Sequence, residues 1–272
     1  ILSKSHFILL NFNKLFQNLN GSMKDPVLIK LKESSTDILD DNGLNEIQMD
    51  PLFDDTQMTI LMMAKIEDFE EDAFIYLKNL ESLRLEENRL GHLRDGAFNG
   101  LVDLHTLYLD KNQIEIIEAS VFSHLTSLSG MSINESEFGG SLSLRLFEKL
   151  INLQKLMIRG VLIDLEMDST SNNCSPLSTF NADLNHIQLE SCNIRKIPGE
   201  FFGSLLKLKE LNLSSNKLEE LNEPLFDKSL LSNLTNLDLS SNRIRRIARK
   251  FFTGLISLKS LNIAGNKLDA LE

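Results

Sequence analysis

The sequence predicts an α/β solenoid: a curved stack of similar turns with a parallel β-sheet on the concave face and an irregular or short-helical convex side. Three observations predict this fold. The motif L-x-x-L-x-L-x-x-N-x-L recurs, most clearly from Leu208, Leu234 and Leu258. A Phe recurs in the second half of each unit, and a Leu lies three residues before the next unit. Three columns that share one period indicate a repeat architecture.

Ten copies of the motif align, and their spacings are 22 to 26 residues except for one of 31. The first two copies are degenerate. We therefore assign residues 1–33 to an irregular N-terminal segment or degenerate capping repeat, and 34–272 to a solenoid of about ten repeats, the last one truncated. The copies begin at Ser34, Thr56, Leu80, Leu104, Leu128, Leu153, Leu184, Leu208, Leu234 and Leu258.

Each column of the repeat has a predicted structural role. The L-x-L portion predicts a short strand whose leucines point into the core, while the residues between them face the open side of the sheet. The Asn column predicts a buried amide that satisfies backbone groups of its own turn and of its neighbour. That column contains Asn42, Ala64, Asn88, Asn112, Ser136, Val161, Cys192, Asn216, Asn242 and Asn266.

The Phe column is expected to fill the space beneath the convex side. It accounts for an unusual aromatic composition of 16 Phe, 2 Tyr and no Trp. Since one repeat buries little apolar surface alone, only the stack is expected to be stable. The column contains Phe74, Phe98, Phe122, Phe147, Phe202, Phe226 and Phe252.

The pattern resembles the leucine-rich-repeat family, and within it the Phe-containing class of Toll-like receptor ectodomains, Slit and matrix leucine-rich proteins. The resemblance covers about residues 34–272. It implies an extracellular or cell-surface location and a role in recognising a protein ligand or co-receptor, or a microbial pattern. Members of this class carry cysteine-rich caps, whereas this chain has only two cysteines.

Composition argues against other classes. The net charge of −11 does not favour nucleic-acid binding, and 13 acidic residues against one basic residue between Glu33 and Asp72 account for the excess. No catalytic motif is present, so we expect no enzyme and no cofactor or metal. No apolar run is long enough to cross a bilayer. Membrane attachment would therefore depend on regions outside this chain.

Two functional hypotheses follow from the resemblance. The first is a receptor ectodomain or a secreted innate-immune-type recognition protein. The alternative is a structural cell-adhesion or extracellular-matrix protein. The sequence beyond Glu272 would separate them, because a membrane span followed by a signalling domain marks a receptor.

The predicted partner-binding surface is the concave face of the middle repeats, where the open-face residues are large and charged. Tyr108 and Arg159 are the expected anchors, because aromatic and Arg side chains carry most interface energy. An alternative is that these positions are ordinary solvated residues and the partner binds elsewhere. The surface comprises Arg84, Glu86, Tyr108, Asp110, Lys111, Met157, Arg159, His186, Gln188 and Glu190.

Covalent modifications are a separate set of predictions. Cys174 and Cys192 either form a disulfide or leave Cys192 as a buried thiol in the Asn column. The surplus of the 31-residue repeat, Glu166–Pro176, is expected to be an exposed excursion. Five sequons permit N-glycosylation, at Asn20, Asn134, Asn173, Asn212 and Asn233.

A basic run on the convex half of one repeat is the last feature. The run is either an ordinary solvated face or a binding site. As a binding site it would serve end-to-end self-association with the acidic segment Glu67–Asp72, or it would bind an acidic glycan. The run comprises Arg243, Arg245, Arg246, Arg249 and Lys250.

Overall fold

The computed structural model describes the following residues: 7–9, 60–62, 66, 68–69, 71–75, 77–136, 140–163, 165, 183–197, 202, 205–221 and 232–271. The chain divides into two compact units, residues 1–131 and 132–272, and each is described by itself. The predicted excursion Glu166–Pro176 lies outside the described residues, as does segment 1–33 apart from one strand.

The first unit contains a parallel sheet of short strands. Strands β1, β2, β3 and β5 pair in this order, and β4 pairs with β6 in a separate two-stranded sheet. The strands are β1 (Phe7–Leu9), β2 (Ile60–Met62), β3 (Ser82–Arg84), β4 (His92–Leu93), β5 (Thr106–Tyr108) and β6 (Ile116–Ile117). The next strand, β7 (Gly130–Asn134), contains the residues at which the division falls.

The second unit repeats this arrangement. Strands β8, β9, β10, β12 and β14 form a parallel row, and β11, β13 and β15 form a second one. A single-turn 3-10 helix, Leu144–Phe147, precedes them. The strands are β8 (Lys155–Arg159), β9 (His186–Glu190), β10 (Glu210–Asn212), β11 (Glu220–Leu221), β12 (Asn236–Asp238), β13 (Arg246–Ile247), β14 (Ser260–Asn262) and β15 (Ala270–Leu271).

Side-chain alternation is as predicted in most of the described strands, but not in β7, where Ser132 is also buried, or in β14, whose three residues are all exposed. Leu83 and Leu85 are fully buried, whereas Arg84 between them faces outward. The same holds for Leu156 and Ile158. We call the sheet surface that turns away from the core the open face. The parallel sheet and the stacked turns confirm the predicted solenoid.

The Asn column also performs its predicted role. The Oδ1 atom of Asn112 accepts a hydrogen bond from the backbone N–H of Leu90 at 3.1 Å. Its Nδ2 atom donates to the carbonyl of Leu85 in the preceding turn at 2.9 Å and to that of Leu109 in its own turn at 3.0 Å. One buried amide thus joins two turns by satisfying backbone groups that would otherwise be unpaired.

The Phe column is correct except in its last described member. Phe74, Phe98 and Phe122 are fully buried, and their rings stack at centroid distances of 6.3 Å and 6.0 Å. In the turn that ends the described stack, however, Phe251 is fully buried and Phe252 only half-buried. Two adjacent Phe residues compete for one slot there, and spacing alone does not decide which ring enters the core.

A second correction concerns the degenerate copy at Thr56. The motif places Leu61 opposite Leu85, but the strands pair Leu61 with Leu83. The consecutive apolar residues from Ile60 to Met63 explain the error, because a strand without alternation specifies its register weakly. The following turn returns to the predicted frame, since the N–H of Ile66 reaches Oδ1 of Asn88 at 2.8 Å.

Candidate interaction surface on the open face

In the first unit, the predicted surface residues form a connected group on the open face. Strand pairing places Arg84 directly beside Tyr108. The guanidinium carbon of Arg84 lies 5.3 Å from the centroid of the Tyr108 ring, which is the geometry of a cation–π contact. The Nε and Nη2 atoms of Arg84 donate to Oε1 of Glu86 at 2.8 Å and 2.6 Å.

The electrostatics of this group keep Arg84 charged and oriented. The hydrogen bond that Arg84 donates to Glu86 raises the pKa of Arg84 above its ordinary value, and the smaller effect of desolvation opposes it. The Arg84 side chain nevertheless remains 43% exposed. An Arg held between a carboxylate and an aromatic ring loses less conformational freedom when a partner arrives, which favours binding.

A second ion pair joins the same two turns three residues further along each, where the strands leave the sheet. Nζ of Lys111 donates to Oε1 of Glu87 at 2.7 Å, and this hydrogen bond lowers the pKa of Glu87. Asp110 lies between Tyr108 and Lys111 and is half-buried on the same face. The first unit therefore presents one aromatic ring and alternating charges.

In the second unit, Arg159 is the central residue of the predicted group. Its Nε atom lies 3.5 Å from Oε1 of Glu190 and 3.9 Å from Oε1 of Glu135, so two carboxylates share it without a short hydrogen bond. The side chain is 50% exposed. Strand pairing places Arg159 beside Glu190 and Met157 beside Gln188, whose Nε2 donates to Oε2 of Glu190 at 3.2 Å.

His186 begins the same strand as Gln188 and Glu190 but contacts a different partner. Its Nδ1 atom lies 2.7 Å from Oε2 of Glu210 on the next strand. Glu210 and Glu135 were absent from the predicted surface. Both occupy open-face columns of neighbouring turns, so the repeat spacing contained the signal that would have found them.

Two of the described sequon residues, Asn134 and Asn212, lie at strand ends on the open face. Asn134 donates to Oγ of Ser132 at 2.8 Å, and Oδ1 of Asn212 accepts from the N–H of Ser214 at 2.8 Å. Asn233 is exposed before β12, and its Nδ2 donates to the carbonyl of Leu206 at 2.8 Å. Asn20 and Asn173 lie outside the described residues.

Cys192 takes the place of Asn in the ladder. Its Sγ atom lies 3.4 Å from the carbonyl of Ile158 in the preceding turn and 3.3 Å from that of Glu190 in its own. Burial raises the pKa of the thiol to about 12. This geometry fits a buried thiol, while the predicted pairing stays a prediction because Cys174 lies outside the described residues.

The described part of the chain was expected to hold no metal and no membrane span. No group of His, Cys, Asp or Glu residues there could hold a metal ion. Within the same residues, no helix has both the length and the apolar character needed to cross a membrane.

A stacked solenoid whose charged and aromatic side chains project from one sheet face defines a class of protein-binding scaffolds. The leucine-rich-repeat model matches residues 78–138, 182–229 and 232–272, more than half of the chain. The chain therefore belongs to the leucine-rich-repeat family. The comparison with curated proteins finds no significant match.

Solved structures supply two neighbours. The Toll–Spätzle complex from Drosophila matches with a TM-score of 0.63 and 25% identity over 83% of this chain and 32% of that one. An internalin from Listeria monocytogenes matches with a TM-score of 0.59 and 21% identity over 84% of this chain and 64% of that one. This chain thus spans about a third of the Toll chain, and the internalin bears on fold alone. The family and the Toll likeness support a protein-binding recognition module.

Proposed function

We propose that this chain is a non-catalytic recognition module of a cell-surface receptor ectodomain or of a secreted innate-immune-type protein. It binds a protein ligand or co-receptor through the open face of the sheet. The observation that carries the proposal is the Arg84–Tyr108 pair, which is oriented by Glu86 and exposed toward solvent. Nothing in this role requires a cofactor.

The chemistry of the open face supports binding of a protein. Interface energy concentrates in Tyr, Trp and Arg side chains, whereas surrounding charges steer the encounter. Tyr108 and Arg159 are such residues, and each is bordered by carboxylates. By contrast, the last turns present small side chains such as Ser215 and Ser241, which offer a partner little contact area.

The extracellular setting is supported by the 25% identity with Toll, a protein whose structure was determined in complex with Spätzle. The exposed sequon at Asn233 is compatible with that setting. A ligand for this chain would accordingly be a secreted protein, a co-receptor ectodomain or a microbial surface component.

A binding screen tests the proposal directly. The chain would be presented to an array of secreted proteins and cell-surface ectodomains, in parallel with Tyr108→Ala and Arg159→Ala variants. At least one partner should bind the parent chain. Its affinity for at least one of the two variants should be weaker by about 1 kcal/mol or more, which is roughly fivefold.

Matched controls come from exposed apolar residues that lie outside the open-face strands. Ile116 and Leu162 are 53% and 50% exposed, and alanine there should leave the same affinities unchanged. Partners that respond to Ile116→Ala or Leu162→Ala but not to the open-face variants would refute the assignment of the open face. Binding confined to matrix components would instead favour an adhesion role and overturn the receptor proposal.

A further inference from the structure

We propose that the side of the second unit that carries β11, β13 and β15 binds a linear sulfated polysaccharide. The core of the site is a row of three cations, Lys217, Arg243 and Lys267, which we call the basic ladder. This site lies on a different side of the turns from the open face, takes a different class of ligand and does not depend on the proposed function.

The three members of the basic ladder occupy equivalent positions on successive turns, each directly after the Asn column. The backbone N–H of Lys217 donates to the carbonyl of Ile194 in the preceding turn at 2.8 Å. Arg243 and Lys267 donate to the corresponding carbonyls of their preceding turns, each at 2.9 Å. Because the three turns stack in the same register, these cations lie in a line, with about 4.8 Å between the backbones of neighbouring turns.

Buried residues that flank the basic ladder in sequence fix its backbone. The residues before Lys217 and Arg243 are the buried amides Asn216 and Asn242, and the residue after Arg243 is the fully buried Ile244. The backbone beneath the cations therefore adopts its bound geometry before a ligand arrives. Binding to a pre-organised row of cations costs less conformational entropy than binding to cations on a flexible backbone would.

Further cations flank the ladder. Residues 217–221, 243–250 and 267–269 contain seven basic and three acidic side chains, a local balance of +4 on a chain whose net charge is −11. The three acidic residues are Glu219, Glu220 and Asp269, and none of them occupies the column of the ladder. The flanking cations are Arg245, Arg246, Arg249 and Lys250.

The charges of this patch are available to an external anion. Within the part of the chain that the structure describes, none of the seven cations makes an ion pair or a side-chain hydrogen bond. On the open face, by contrast, several cations are paired with acids, such as Lys111 with Glu87 and Arg159 with Glu190. Unpaired like charges in a row repel one another, and a polyanion relieves that repulsion.

The surroundings favour a polysaccharide over other polyanions. Single-stranded nucleic acids are bound by exposed aromatic platforms. Here Phe251 is buried and packs edge-on against Phe252 at a centroid distance of 5.0 Å. A membrane surface would need apolar side chains that project outward, but Ile244 and Ile247 point into the core. A linear sulfated glycan requires only cations in line.

The test measures binding of a size-defined heparin octasaccharide to the full chain by titration calorimetry at several salt concentrations. The ladder variant carries Lys217→Gln, Arg243→Gln and Lys267→Gln. Its affinity should fall at least tenfold, and the slope of log K against log salt should flatten by about 3. Its thermal unfolding should match that of the parent, because these side chains have no partner among the described residues.

The matched control removes the same charge elsewhere in the second unit, by Lys155→Gln, Lys209→Gln and Lys259→Gln. All three lysines are exposed, and they lie in or directly before strands of the main sheet. This control variant should lose less than twofold in affinity. Equal losses in both triple variants would show non-directional attraction and overturn the site. So would a parent chain that does not bind the octasaccharide at physiological salt. A DNA oligonucleotide of equal charge that competes as well as heparin would overturn the choice of polysaccharide.

Discussion

Asn216 illustrates how a single residue of the repeat supports the fold. Its Oδ1 atom accepts from the N–H groups of Cys192 and Ile194, both at 3.0 Å. Its Nδ2 atom donates to the carbonyl of Leu189 at 2.7 Å and to that of Leu213 at 2.9 Å. Backbone groups from two turns thus depend on one buried amide, and no backbone partner could replace it within the turn.

Replacing Asn216 with Ala should therefore cost on the order of 1–3 kcal/mol of unfolding free energy, because buried N–H and C=O groups lose their partners. Urea denaturation of parent and variant measures this difference. Asn236, exposed on β12, supplies the control, and Asn236→Ala should change stability by less than about 0.5 kcal/mol. Identical urea midpoints for Asn216→Ala and the parent would contradict the role of the ladder.

Cys192 should make stability depend on alkaline pH. Burial raises the pKa of its thiol to about 12, above the value of about 8.5 in an unfolded chain. The folded state therefore holds the proton more tightly, and this contribution is complete below about pH 8.5 and is lost as pH rises toward 12. Cys192→Ser should remove this loss, which amounts to at most about 1.4 kcal/mol per pH unit. Denaturation of both proteins at pH 8 and pH 10.5 provides the measurement.

The same thiol distinguishes the two alternatives for the cysteines. A buried, protonated Cys192 should react slowly with iodoacetamide in the folded chain and rapidly in denaturant. If it is paired with Cys174, it should not react in denaturant until a reductant is added. Equal alkylation rates in folded and denatured protein would rule out the buried site itself.

At the scale of the element, each turn leaves the sheet through a left-handed residue directly before the Asn column. Most of these residues are not glycine, so each turn accepts a backbone conformation that costs roughly 1–2 kcal/mol. Where an Asn follows, as after Glu87, Lys111 and Ser215, its hydrogen bonds offset this strain. The residues are Glu87, Lys111, Glu135, Gly160, Ser191, Ser215, Ser241 and Gly265, with φ between 53° and 71°.

Two glycines with left-handed backbone conformations should respond differently to alanine, because the space available to a Cβ atom differs between them. At Gly160 a Cβ would lie no closer than 3.7 Å to the nearest atom, so Gly160→Ala should cost only the conformational term of about 1 kcal/mol. At Gly100 a Cβ would lie 2.4 Å from Cα of Ile75, so the backbone must move. Gly100→Ala should cost about 3 kcal/mol or more. Thermal unfolding of both variants compares them, and equal losses would contradict the packing argument.

The repeat pattern predicted most elements because each column reports a local constraint. The Leu pairs specified the strands, and Asn88, Asn112 and Asn216 specified the turns. The errors arose where that information was degenerate, at the apolar stretch around Leu61 and at the adjacent rings Phe251 and Phe252. In both places two placements satisfy the apolar pattern, and packing against the neighbouring turn selects one.

The candidate surface was less predictable than the fold. Alternation showed that Arg84 and Tyr108 share the open face, and the repeat spacing placed them on neighbouring strands. It did not show that the guanidinium lies over the ring, since that depends on rotamers and on Glu86. Contacts between long side chains are set by competition among several partners, which a column of residue types does not record.

At the scale of the whole molecule, every turn divides its residues between two tasks. Inward Leu, Phe and Asn side chains stabilise the stack, and outward side chains carry the charges and aromatic rings. The basic ladder shows that a second side of the turns is also chemically distinct, with a local charge opposite in sign to that of the chain. Since outward residues contribute little to the core, they can change without loss of the fold.

Tyr108 and Asn112 test this division, because they lie four residues apart in one turn. Tyr108→Ala removes an exposed cation–π contact with Arg84, so stability should fall by only about 0.5–1 kcal/mol. Affinity for a partner found in the array should fall by about 1 kcal/mol or more. Asn112→Ala breaks the buried hydrogen bonds to Leu85 and Leu109, and should cost about 1–3 kcal/mol of stability. Binding measured per folded molecule should stay unchanged. Urea denaturation and binding titrations on both variants measure these changes. If Asn112→Ala weakened binding as much as Tyr108→Ala, the separation between residues that stabilise the fold and residues that bind a partner would be contradicted.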